Sequence, residues 1–356
     1  MKEGKSFINN NNMDYKISII PQLLYFKTPA TTSRGSYSTR KVWFVVVTSP
    51  EMPGRVGVGE CAPLPSLSCD DVPNYQKVLR RFCDTLEKND SIGSLSIRPY
   101  PSMIFGLETA FKNFEAGSYQ LFDTAFSRGE CGIPINGLIW MGDYQHMLEQ
   151  IEKKLEIGYR CIKLKIGAID FEQEIALLKH IRAHFSSKEV ELRVDANGAF
   201  APDEALDKLK RLAELDLHSI EQPIRAGQLE QMARLCEESP LPIALDEELI
   251  GCNLPGEKMH LLSTIRPQYI VLKPSLHGGM MGGDEWINCA HRVKNIKWWV
   301  TSALESNIGL NAIAQWCATY RNPLAQGLGT GGLFIYNIEK PVEIRKDCLW
   351  YCNGNK

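Results

Sequence analysis

The stretch CIKLKIG, Cys161–Gly167, places two lysines, Lys163 and Lys165, in an otherwise apolar run that ends in glycine. A short apolar run of this kind indicates a buried β-strand. Because side chains alternate along a strand, the two lysines share one face, and the isoleucines and the leucine take the other. The stretch therefore predicts a strand whose polar face looks into an interior and whose apolar face is covered by helices.

Seven other short apolar segments resemble this strand, and amphipathic helices alternate with them. Charged residues end five consecutive segments, and the intervals between Lys165, Asp195, Glu221, Asp246 and Lys273 are 30, 26, 25 and 27 positions by subtraction. That regularity predicts repeated strand–helix units, closed as an α/β barrel of TIM type, a (β/α)8 barrel. A doubly wound open sheet is the alternative, but no GxGxxG follows the first strand. The predicted strands are 135–140, 161–166, 190–196, 217–223, 242–247, 268–274, 298–303 and 324–329.

The first third of the chain has a different pattern. Three β-rich runs precede helical patterns within residues 14–125, which predicts a small α+β unit. The polar segment 29–40 between the first two strands is expected to be a loop. Residues 126–335 are assigned to the barrel, and residues 336–356 are expected to leave it and return to the N-terminal unit. Residues 1–13 are expected to be a disordered tail.

Composition and charge argue against several classes of partner. The net charge is −2, from 40 basic and 42 acidic residues, which gives no reason to expect nucleic acid or an anionic membrane. No run of 18 apolar residues is present, so no membrane span is expected. The 11 cysteines show no CxxC spacing, which is typical of free thiols in a reducing compartment and predicts a cytoplasmic location. The oligomeric state is not determined by these features.

Three acidic residues, Asp195, Glu221 and Asp246, end three adjacent predicted strands. Catalytic groups of TIM barrels lie at the carboxyl ends of the strands, so these carboxylates should converge. Such a cluster is repulsive unless a cation compensates it. Oxygen ligands favour Mg²⁺ or Mn²⁺ over Zn²⁺. Any one of these residues alone is more often a helix cap or a turn residue, and the prediction depends on the whole set in register.

The two lysines at strand ends suit proton abstraction beside a carboxylate. A divalent cation can bind a substrate carboxylate and stabilise the enediolate that forms when the neighbouring carbon loses its proton. A lysine beside another ammonium group and a cation has its pKa lowered, which suits a general base. Lys165 and Lys273, on opposite sides of the barrel, would flank the substrate. The predicted partner is therefore a small-molecule carboxylate.

The order KLK, DAN, EQP, DE and KP resembles that of the enolase superfamily, muconate-lactonising subgroup. The resemblance covers nearly the whole chain and includes the element GECAP at 59–63, so it implies that the N-terminal unit is a capping domain. Within the subgroup, the chain most resembles the o-succinylbenzoate synthases. The segments that carry this likeness are TSALESNIGL (301–310), ELRVDAN (191–197), STRKVWF (38–44) and PSMIFGLETA (101–110).

The resemblance implies a catalytic set in which Asp195, Glu221 and Asp246 are the metal ligands. Lys165 would remove the α-proton and then protonate the departing hydroxide in a syn elimination. Lys273 would stabilise the enediolate from the other side. Lys163 would bind the substrate carboxylate and help to keep Lys165 neutral. The implied substrate-binding residues are Ser302, Arg193, Asn197, Gly327 and Gly329, with Arg34 or Arg40 as weaker candidates and with Asn197 and Glu247 supporting the metal ligands.

The implied reaction is dehydration of 2-succinyl-6-hydroxy-2,4-cyclohexadiene-1-carboxylate to 2-succinylbenzoate in menaquinone biosynthesis. N-acylamino-acid racemisation, with both lysines as bases, stays open as an alternative. Dipeptide epimerases carry Asp-x-Asp on the eighth strand, whereas AQGLGTGG at 325–332 has no acid, and mandelate-type enzymes place a histidine on the seventh strand, which WWVTSALES at 298–306 lacks. A barrel without catalysis, acting as a binding module, is a remote alternative.

Overall fold

The structure is a computed structural model that describes residues 13–32, 35–88, 94–293, 296–338 and 341–352. Residues 1–12 of the tail expected over 1–13 and the candidate Arg34 therefore lie outside the described residues, whereas Met13 packs against the core of the N-terminal unit. The strands are β1 (Lys16–Thr32), β2 (Gly35–Thr48), β3 (Val56–Cys61), β4 (Ile133–Pro134), β5 (Gly137–Ile139), β6 (Cys161–Lys165), β7 (Glu191–Asp195), β8 (Ser219–Glu221), β9 (Ile243–Leu245), β10 (Tyr269–Leu272), β11 (Lys297–Val300), β12 (Val342–Arg345) and β13 (Cys348–Tyr351). The helices are α1 (Tyr75–Glu87), α2 (Ser94–Ile97), α3 (Pro101–Ala116), α4 (Tyr144–Ile157), α5 (Phe171–His184), α6 (Pro202–Ala213), α7 (Leu229–Glu238), α8 (Pro255–Ile265), α9 (Pro274–His277), α10 (Gly279–Arg292) and α11 (Asn307–Ala318).

The N-terminal unit is an antiparallel sheet of β1, β2 and β3, in that order. The prediction of a loop over 29–40 is wrong, because β1 and β2 continue through most of it and pair again at Ala30–Tyr37 and Thr31–Ser36. Ser36 and Ser38 are exposed to solvent, whereas Ala30 and Arg40 near the ends of the segment are buried. Serine, threonine and tyrosine are compatible with strands, and the cross-strand pairing satisfies their backbone groups.

Helix α3 packs on β3 without side chains between the two backbones. A Cβ at Gly59 would lie 1.8 Å from the carbonyl oxygen of Gly106, and a Cβ at Gly57 would lie 2.2 Å from that of Ala110. Glycine is therefore required at this contact, because any larger residue would push the helix off the strand. The close approach holds α3 between the sheet and the barrel.

The barrel contains seven regular parallel strands in the order β5, β6, β7, β8, β9, β10 and β11. The predicted eighth strand, 324–329, pairs only through isolated bridges, but it closes the ring. Gln326 N donates to Pro134 O at 2.8 Å on one side, and Gly327 N donates to Val300 O at 2.7 Å on the other. The glycines of this segment weaken a regular strand without preventing closure. The prediction of a closed barrel is confirmed, and the open-sheet alternative is wrong.

The C-terminal segment ends in a hairpin that pairs beside the barrel. Strand β13 pairs with β4, next to the first barrel strand, instead of with the N-terminal sheet. The contact with that sheet comes earlier in the chain, at a bridge between Phe26 and Phe334 whose rings stack with centroids 4.6 Å apart. Ile338, within the same C-terminal segment, packs on the cluster that contains Leu24 and Val42 of the N-terminal sheet. The expected return of residues 336–356 to the N-terminal unit therefore stays a prediction, while the hairpin itself pairs with β4. The boundaries between units at residues 125 and 335 stay a prediction.

The alternation expected in the opening stretch is confirmed. Ile162, Leu164 and Ile166 are at most 1% exposed and belong to the core between barrel and helices. Lys165 pairs with Asp195 across the ladder, and Asp195 pairs with Glu221. Three charged strand ends thus stand side by side at the same level of the barrel. These three side chains form one side of the candidate site described below.

Two further expectations concern helices and cysteines. Of the helices in the described residues, none is both long enough and apolar enough to span a bilayer. All eleven cysteines are unpaired. The cytoplasmic location expected from them stays a prediction.

Candidate active site

A cavity opens at the carboxyl ends of the barrel strands, under the N-terminal unit. Leu64 and Leu67, which follow β3, close it from above, and Leu138, Trp140 and Leu304 add apolar walls. The predicted site residues that line it are Lys163, Lys165, Asn197, Glu221, Asp246, Glu247, Lys273, Ser302, Gly327 and Gly329. The fold therefore brings together most of the set that the sequence indicated.

Lys163 lies between two of the acidic residues. Its Nζ donates to Oδ2 of Asp195 at 2.9 Å and to Oε2 of Glu221 at 2.8 Å. Lys165 also reaches Oδ2 of Asp195, at 2.7 Å, and donates to Oδ1 of Asn197 at 2.6 Å. Both ammonium groups point inward, so the two-residue spacing in KLK delivers two positive charges to one carboxylate.

Lys273 lies on the other side of the cavity and pairs with Asp246. Its Nζ donates to Oδ2 of Asp246 at 2.5 Å. The other oxygen, Oδ1, is buried and has no hydrogen-bond partner within the described ranges. His277, at the end of α9, accepts a hydrogen bond from the backbone N–H of Lys273 at 3.0 Å and is 1% exposed. The side chain of His277 thereby fixes the backbone of Lys273.

Burial and charge shift the pKa values of these groups in different directions. Burial raises the pKa of Glu221 to about 8, and the negative charge of Asp195 adds to the rise. Burial also raises the pKa of Asp246. In Asp195, burial acts upward, but Lys163 and Lys165 outweigh it and hold the pKa below its usual value. The lysines thus compensate Asp195 well and leave Glu221 and Asp246 short of positive charge.

The pKa values of two lysines that face these carboxylates are both raised. Burial acts to lower the pKa of Lys163, yet Asp195 and Glu221 outweigh it and raise the pKa. For Lys273, burial is likewise outweighed, chiefly by Asp246. Each ammonium group is therefore held in its charged form by the acid beside it.

The acidic residues could hold a divalent cation. Asp195, Glu221 and Asp246 offer only carboxylate oxygens, which suit Mg²⁺ or Mn²⁺. The partnerless Oδ1 of Asp246 and the raised pKa of Glu221 both fit an additional positive charge. As the side chains stand, however, no group of three or more His, Cys, Asp or Glu residues in the described part of the chain is arranged to hold a metal ion. The ammonium groups of the lysines donate hydrogen bonds to these carboxylate oxygens instead.

Asn197 and Glu247 form a hydrogen-bonded pair at the edge of the cavity. Asn197 adopts a left-handed backbone conformation, with φ of 44°, which places its side chain over the end of β7. Its Nδ2 donates to Oε1 of Glu247 at 2.9 Å while its Oδ1 accepts from Lys165. Asn197 therefore orients Lys165, and Glu247 orients Asn197.

Arg193 does not reach the cavity. It lies on the same face of β7 as Asp195 but one layer deeper, and it is 1% exposed. Its Nε donates to Glu191 at 2.7 Å, its Nη1 donates to Ala325 O at 2.9 Å, and its guanidinium stacks over the ring of Trp299 at 4.3 Å. The prediction that Arg193 binds substrate is wrong, because a step of two residues along a strand moves a side chain a full layer down the barrel.

Ser302 lines the cavity, but its hydroxyl proton is already used. Its Oγ donates to Oε2 of Glu305 at 2.6 Å and accepts from Leu304 N at 3.0 Å. Glu305 is fully buried, and as a carboxylate it only accepts. Ser302 can therefore offer just a lone pair to a ligand, which does not suit the carboxylate-binding role predicted for it.

Arg40 lies on β2 of the N-terminal sheet, is 1% exposed and is not part of the cavity lining. Its Nη2 donates to Ala62 O at 2.5 Å, while its Nε and Nη1 have no hydrogen-bond partner among the residues the structure describes. Burial lowers its pKa, and the charges of Glu305 and Glu60 oppose that. Arg40 therefore compensates the buried acids Glu60 and Glu305 and does not face the cavity.

The sequence reasoning missed several cavity residues, and two polar ones lie where the barrel closes. Asn136 precedes β5, and Thr330 follows the eighth segment; both line the cavity. Thr330 is 7% exposed, and its Oγ1 has no hydrogen-bond partner in the described ranges. A single threonine within a glycine run carries no local signal of this position, because only barrel closure brings residues 329–330 beside 135–136.

Comparison with known proteins agrees with this geometry. The enolase C-terminal domain-like family matches residues 146–349. The chain is 46% identical to an o-succinylbenzoate synthase from Desulfotalea psychrophila, over 90% of this chain and 95% of that protein. It is 27% identical to an L-Ala-D/L-Glu epimerase from Bacillus subtilis, over 76% and 75%.

A solved structure shows the same architecture. The crystal structure of MenC from Desulfotalea psychrophila superimposes with a TM-score of 0.80 at 40% identity and covers 95% of this chain and 99% of that one. The resemblance inferred from the motifs is thus confirmed over nearly the full length. The chain belongs to the enolase C-terminal domain-like family.

Proposed function

We propose that the chain is an o-succinylbenzoate synthase, which removes water from 2-succinyl-6-hydroxy-2,4-cyclohexadiene-1-carboxylate to give 2-succinylbenzoate in menaquinone biosynthesis. One observation carries the chemistry: Lys165 and Lys273 line the same cavity and each is paired with a buried acid at its strand end. The 46% identity to an o-succinylbenzoate synthase supports the choice of reaction within the family.

Asp195, Glu221 and Asp246 would hold the divalent metal on which enolase-superfamily enzymes generally depend, with Mg²⁺ or Mn²⁺ as the metal. When bound, the metal supplies Lewis acidity that stabilises negative charge on the substrate carboxylate. The lysines that occupy these acids would then be released toward the substrate. Replacement of the lysine contacts by a divalent cation fits the raised pKa values of Glu221 and Asp246, which indicate that more positive charge would stabilise their ionised forms.

Lys165 is the general base and then the general acid. Its neutral amine takes the proton from the ring carbon that carries the carboxylate, and that C–H electron pair becomes the new ring double bond. The C–O bond breaks, and the departing hydroxide receives the same proton from Lys165 to leave as water. Because one residue serves both steps, proton and hydroxide leave from one face. Asn197 Oδ1 aims the amine.

Lys273 and Lys163 supply positive charge and do not exchange protons with the substrate. Lys273 faces the ring from the other side and stabilises the enediolate that precedes loss of hydroxide. Lys163 donates to the ring carboxylate once Asp195 and Glu221 no longer hold it. Before the metal binds, the carboxylates beside both lysines hold them in the charged form, as their raised pKa values indicate.

The succinyl carboxylate needs a donor at the other end of the cavity. Thr330 has a buried hydroxyl with no partner in the described residues, and Gly329 stands beside it without a side chain in the way. Ser302 cannot donate there, since its proton is committed to Glu305. We therefore assign the succinyl end to Thr330, with Gly329 leaving room for it, whereas Gly327 lies against the side chain of Thr301.

Racemisation of an N-acylamino acid is the second candidate. It is favoured by the same two lysines on opposite sides of the cavity, which could act as a two-base pair, and by the 27% identity to an epimerase. It requires Lys273 to accept a proton, whereas Lys273 is paired with Asp246 and held charged. Dehydration needs only one base and therefore fits the pairing better.

The test uses the purified chain with Mg²⁺ and two substrates. The cyclohexadiene substrate is followed by the change in ultraviolet absorbance as the ring becomes aromatic, and N-succinyl amino acids are followed by loss of optical rotation in D₂O. We expect rapid dehydration with kcat/KM above about 10⁴ M⁻¹s⁻¹. Dehydration slower than racemisation would reverse the assignment, and neither reaction with Mg²⁺ or Mn²⁺ would favour the binding module.

A further inference from the structure

Gln222, the residue directly after Glu221, is held in an unusual conformation. Its φ is 41°, in the left-handed region, and its side chain is 0% exposed. A non-glycine residue in this region is strained, and such strain persists only where the surroundings enforce it, often at functional sites. The conformation turns the side chain back across the end of β8 toward the neighbouring strand.

The amide of Gln222 uses its full hydrogen-bonding capacity. Its Oε1 accepts from the backbone N–H of Asp246 at 3.1 Å and of Glu248 at 3.3 Å. Its Nε2 donates to Ile224 O at 3.0 Å and to Oε2 of Glu248 at 3.1 Å. Two acceptor positions and two donor positions are all that an amide has. This pattern also determines which amide atom is oxygen.

Beyond the last hydrogen bond between β8 and β9, the side chain of Gln222 replaces the strand pairing. Pairing between β8 and β9 stops when Gln222 N donates to Ala244 O at 2.9 Å. Beyond that point no strand pairing holds Asp246, which has left β9 with φ of −123° and ψ of −81°. The Gln222 amide extends the connection by two residues, so one side chain ties Asp246 to the residue after Glu221.

We propose that Gln222 is a positioning residue that sets Asp246 against Glu221 so that both carboxylates act on one divalent cation. The inference rests on the proposed metal site, which needs ligands from separate strands at a defined separation. Neither ligand touches Gln222 through its own carboxylate. Gln222 therefore acts on the backbone position of Asp246. Its loss should change the metal affinity before any substrate is present.

The chain offers matched controls for this role. Gln268 holds the beginning of the same strand, accepting from Ile243 N at 2.9 Å and donating to Cys236 O at 3.0 Å. Gln326 is as buried as Gln222 and accepts from Val300 N at 2.7 Å. Both are amide clamps on barrel strands, and neither hydrogen-bonds to Asp246 or to the residues just after it, as Gln222 does. Their loss should cost stability alone.

The experiment titrates Mn²⁺ into the full chain without substrate and measures free Mn²⁺ by electron paramagnetic resonance. We expect Gln222→Met to weaken Mn²⁺ binding about 10–100-fold, while Gln268→Met and Gln326→Met lower the melting temperature and leave the affinity unchanged. Unchanged affinity in Gln222→Met would overturn the inference. If the unaltered chain bound no Mn²⁺, the metal site and the proposed function would fail instead, which is a separate result.

A charge swap keeps the test decisive if Gln222→Met does not fold. In Gln222→Glu, one oxygen can still accept from Asp246 N, but the other faces the carboxylate of Glu248, so Mn²⁺ should bind more weakly. The double variant Gln222→Glu/Glu248→Gln restores a donor opposite an acceptor and should recover most of the affinity. Equal affinity in the single and double variants would contradict a role in positioning.

Discussion

The ammonium group of Lys273 donates to Oδ2 of Asp246 at 2.5 Å, while Oδ1 of the same carboxylate is buried and has no hydrogen-bond partner in the described ranges. One oxygen thus contacts a lysine, and the other is the one that the proposed metal would bind. Because Asp246 links the two, the proposed metal and the proposed electrophilic lysine are connected through a single side chain.

Removal of divalent metal should abolish activity without unfolding the chain. After treatment with a chelator we expect the dehydration rate to disappear and to return with Mg²⁺ or Mn²⁺, because the lysine–carboxylate pairs hold the site together in the absence of metal. Binding should also stabilise the fold, by about 2.7 kcal/mol at a metal concentration of 100 times Kd. Calorimetric melting with and without metal measures this, and full activity after chelation would contradict the metal site.

Lys165→Met should lower kcat by about 10²–10⁴-fold, the usual contribution of a general acid–base group. Methionine keeps the unbranched stem and removes only the amine, so the circular dichroism spectrum should be unchanged. Lys179→Met, on the exposed face of α5, is the matched control and should leave kcat unaltered. A variant at Lys165 that retained most of its turnover would show that another group takes the proton.

Thr330→Val should raise KM about tenfold or more with little change in melting temperature. The substitution keeps the shape and removes a hydroxyl whose hydrogen bond to a charged group is worth about 1.5–3 kcal/mol. Ser302→Ala should do the reverse, because it takes a donor from the buried Glu305 and leaves substrate binding nearly intact. Steady-state kinetics and thermal melting of both variants decide the matter. A larger KM effect at Ser302 would return the succinyl end to that residue.

Arg193→Met should reduce stability and leave KM unchanged. The guanidinium stacks on Trp299 and pairs with Glu191 deep in the barrel, so its loss should cost about 3 kcal/mol of unfolding free energy. Arg211→Met removes an exposed pair with Glu172 and should have little effect. Urea unfolding together with kinetics separates the two roles, and an increase in KM at Arg193 would restore it to the substrate-binding set.

Glu60 should make stability depend on pH near neutrality. Its carboxylate accepts from Ser306 and Gly309 at the start of α11, and burial raises its pKa to about 7. The unfolded chain loses this proton near pH 4.5 and the folded chain near 7. Stability from the protonated group is therefore full below about pH 4.5 and is lost as pH rises to 7, by on the order of 1–3 kcal/mol.

Comparison of Glu60→Gln with the unaltered chain isolates this contribution. The glutamine variant cannot ionise, so its unfolding free energy should fall less steeply between pH 5 and 7. Urea unfolding at several pH values measures both slopes. Parallel curves would mean that Glu60 is not protonated in the folded state at pH 5–6.

The sequence was sufficient for features that follow from local period and spacing. The two-residue repeat in CIKLKIG placed both lysines inward, since a strand alternates regardless of what surrounds it. The regular interval between charged strand ends predicted the barrel and the convergence of three acids, because every parallel strand ends at the same edge. Motif order then identified the family, which the comparisons confirm.

Other features depended on contacts between residues far apart in the chain. Whether Ser302 could donate was decided by Glu305, whether Arg193 reached the cavity was decided by its layer, and the partner of β13 was decided by the free edge of β4. None of these has a periodic signal, because each is a hydrogen bond or packing contact made only after the barrel closes.

Thus the sequence by itself determined the barrel, the inward lysines and the acidic strand ends, since alternation and strand polarity act residue by residue. Only the tertiary structure decided how those groups are held: Gln222 across to Asp246, Asn197 across to Glu247, Thr330 left without a partner. The physical reason is that hydrogen-bond direction and layer depth are set by neighbouring strands, and the identity of a neighbour is known only once the ring is complete.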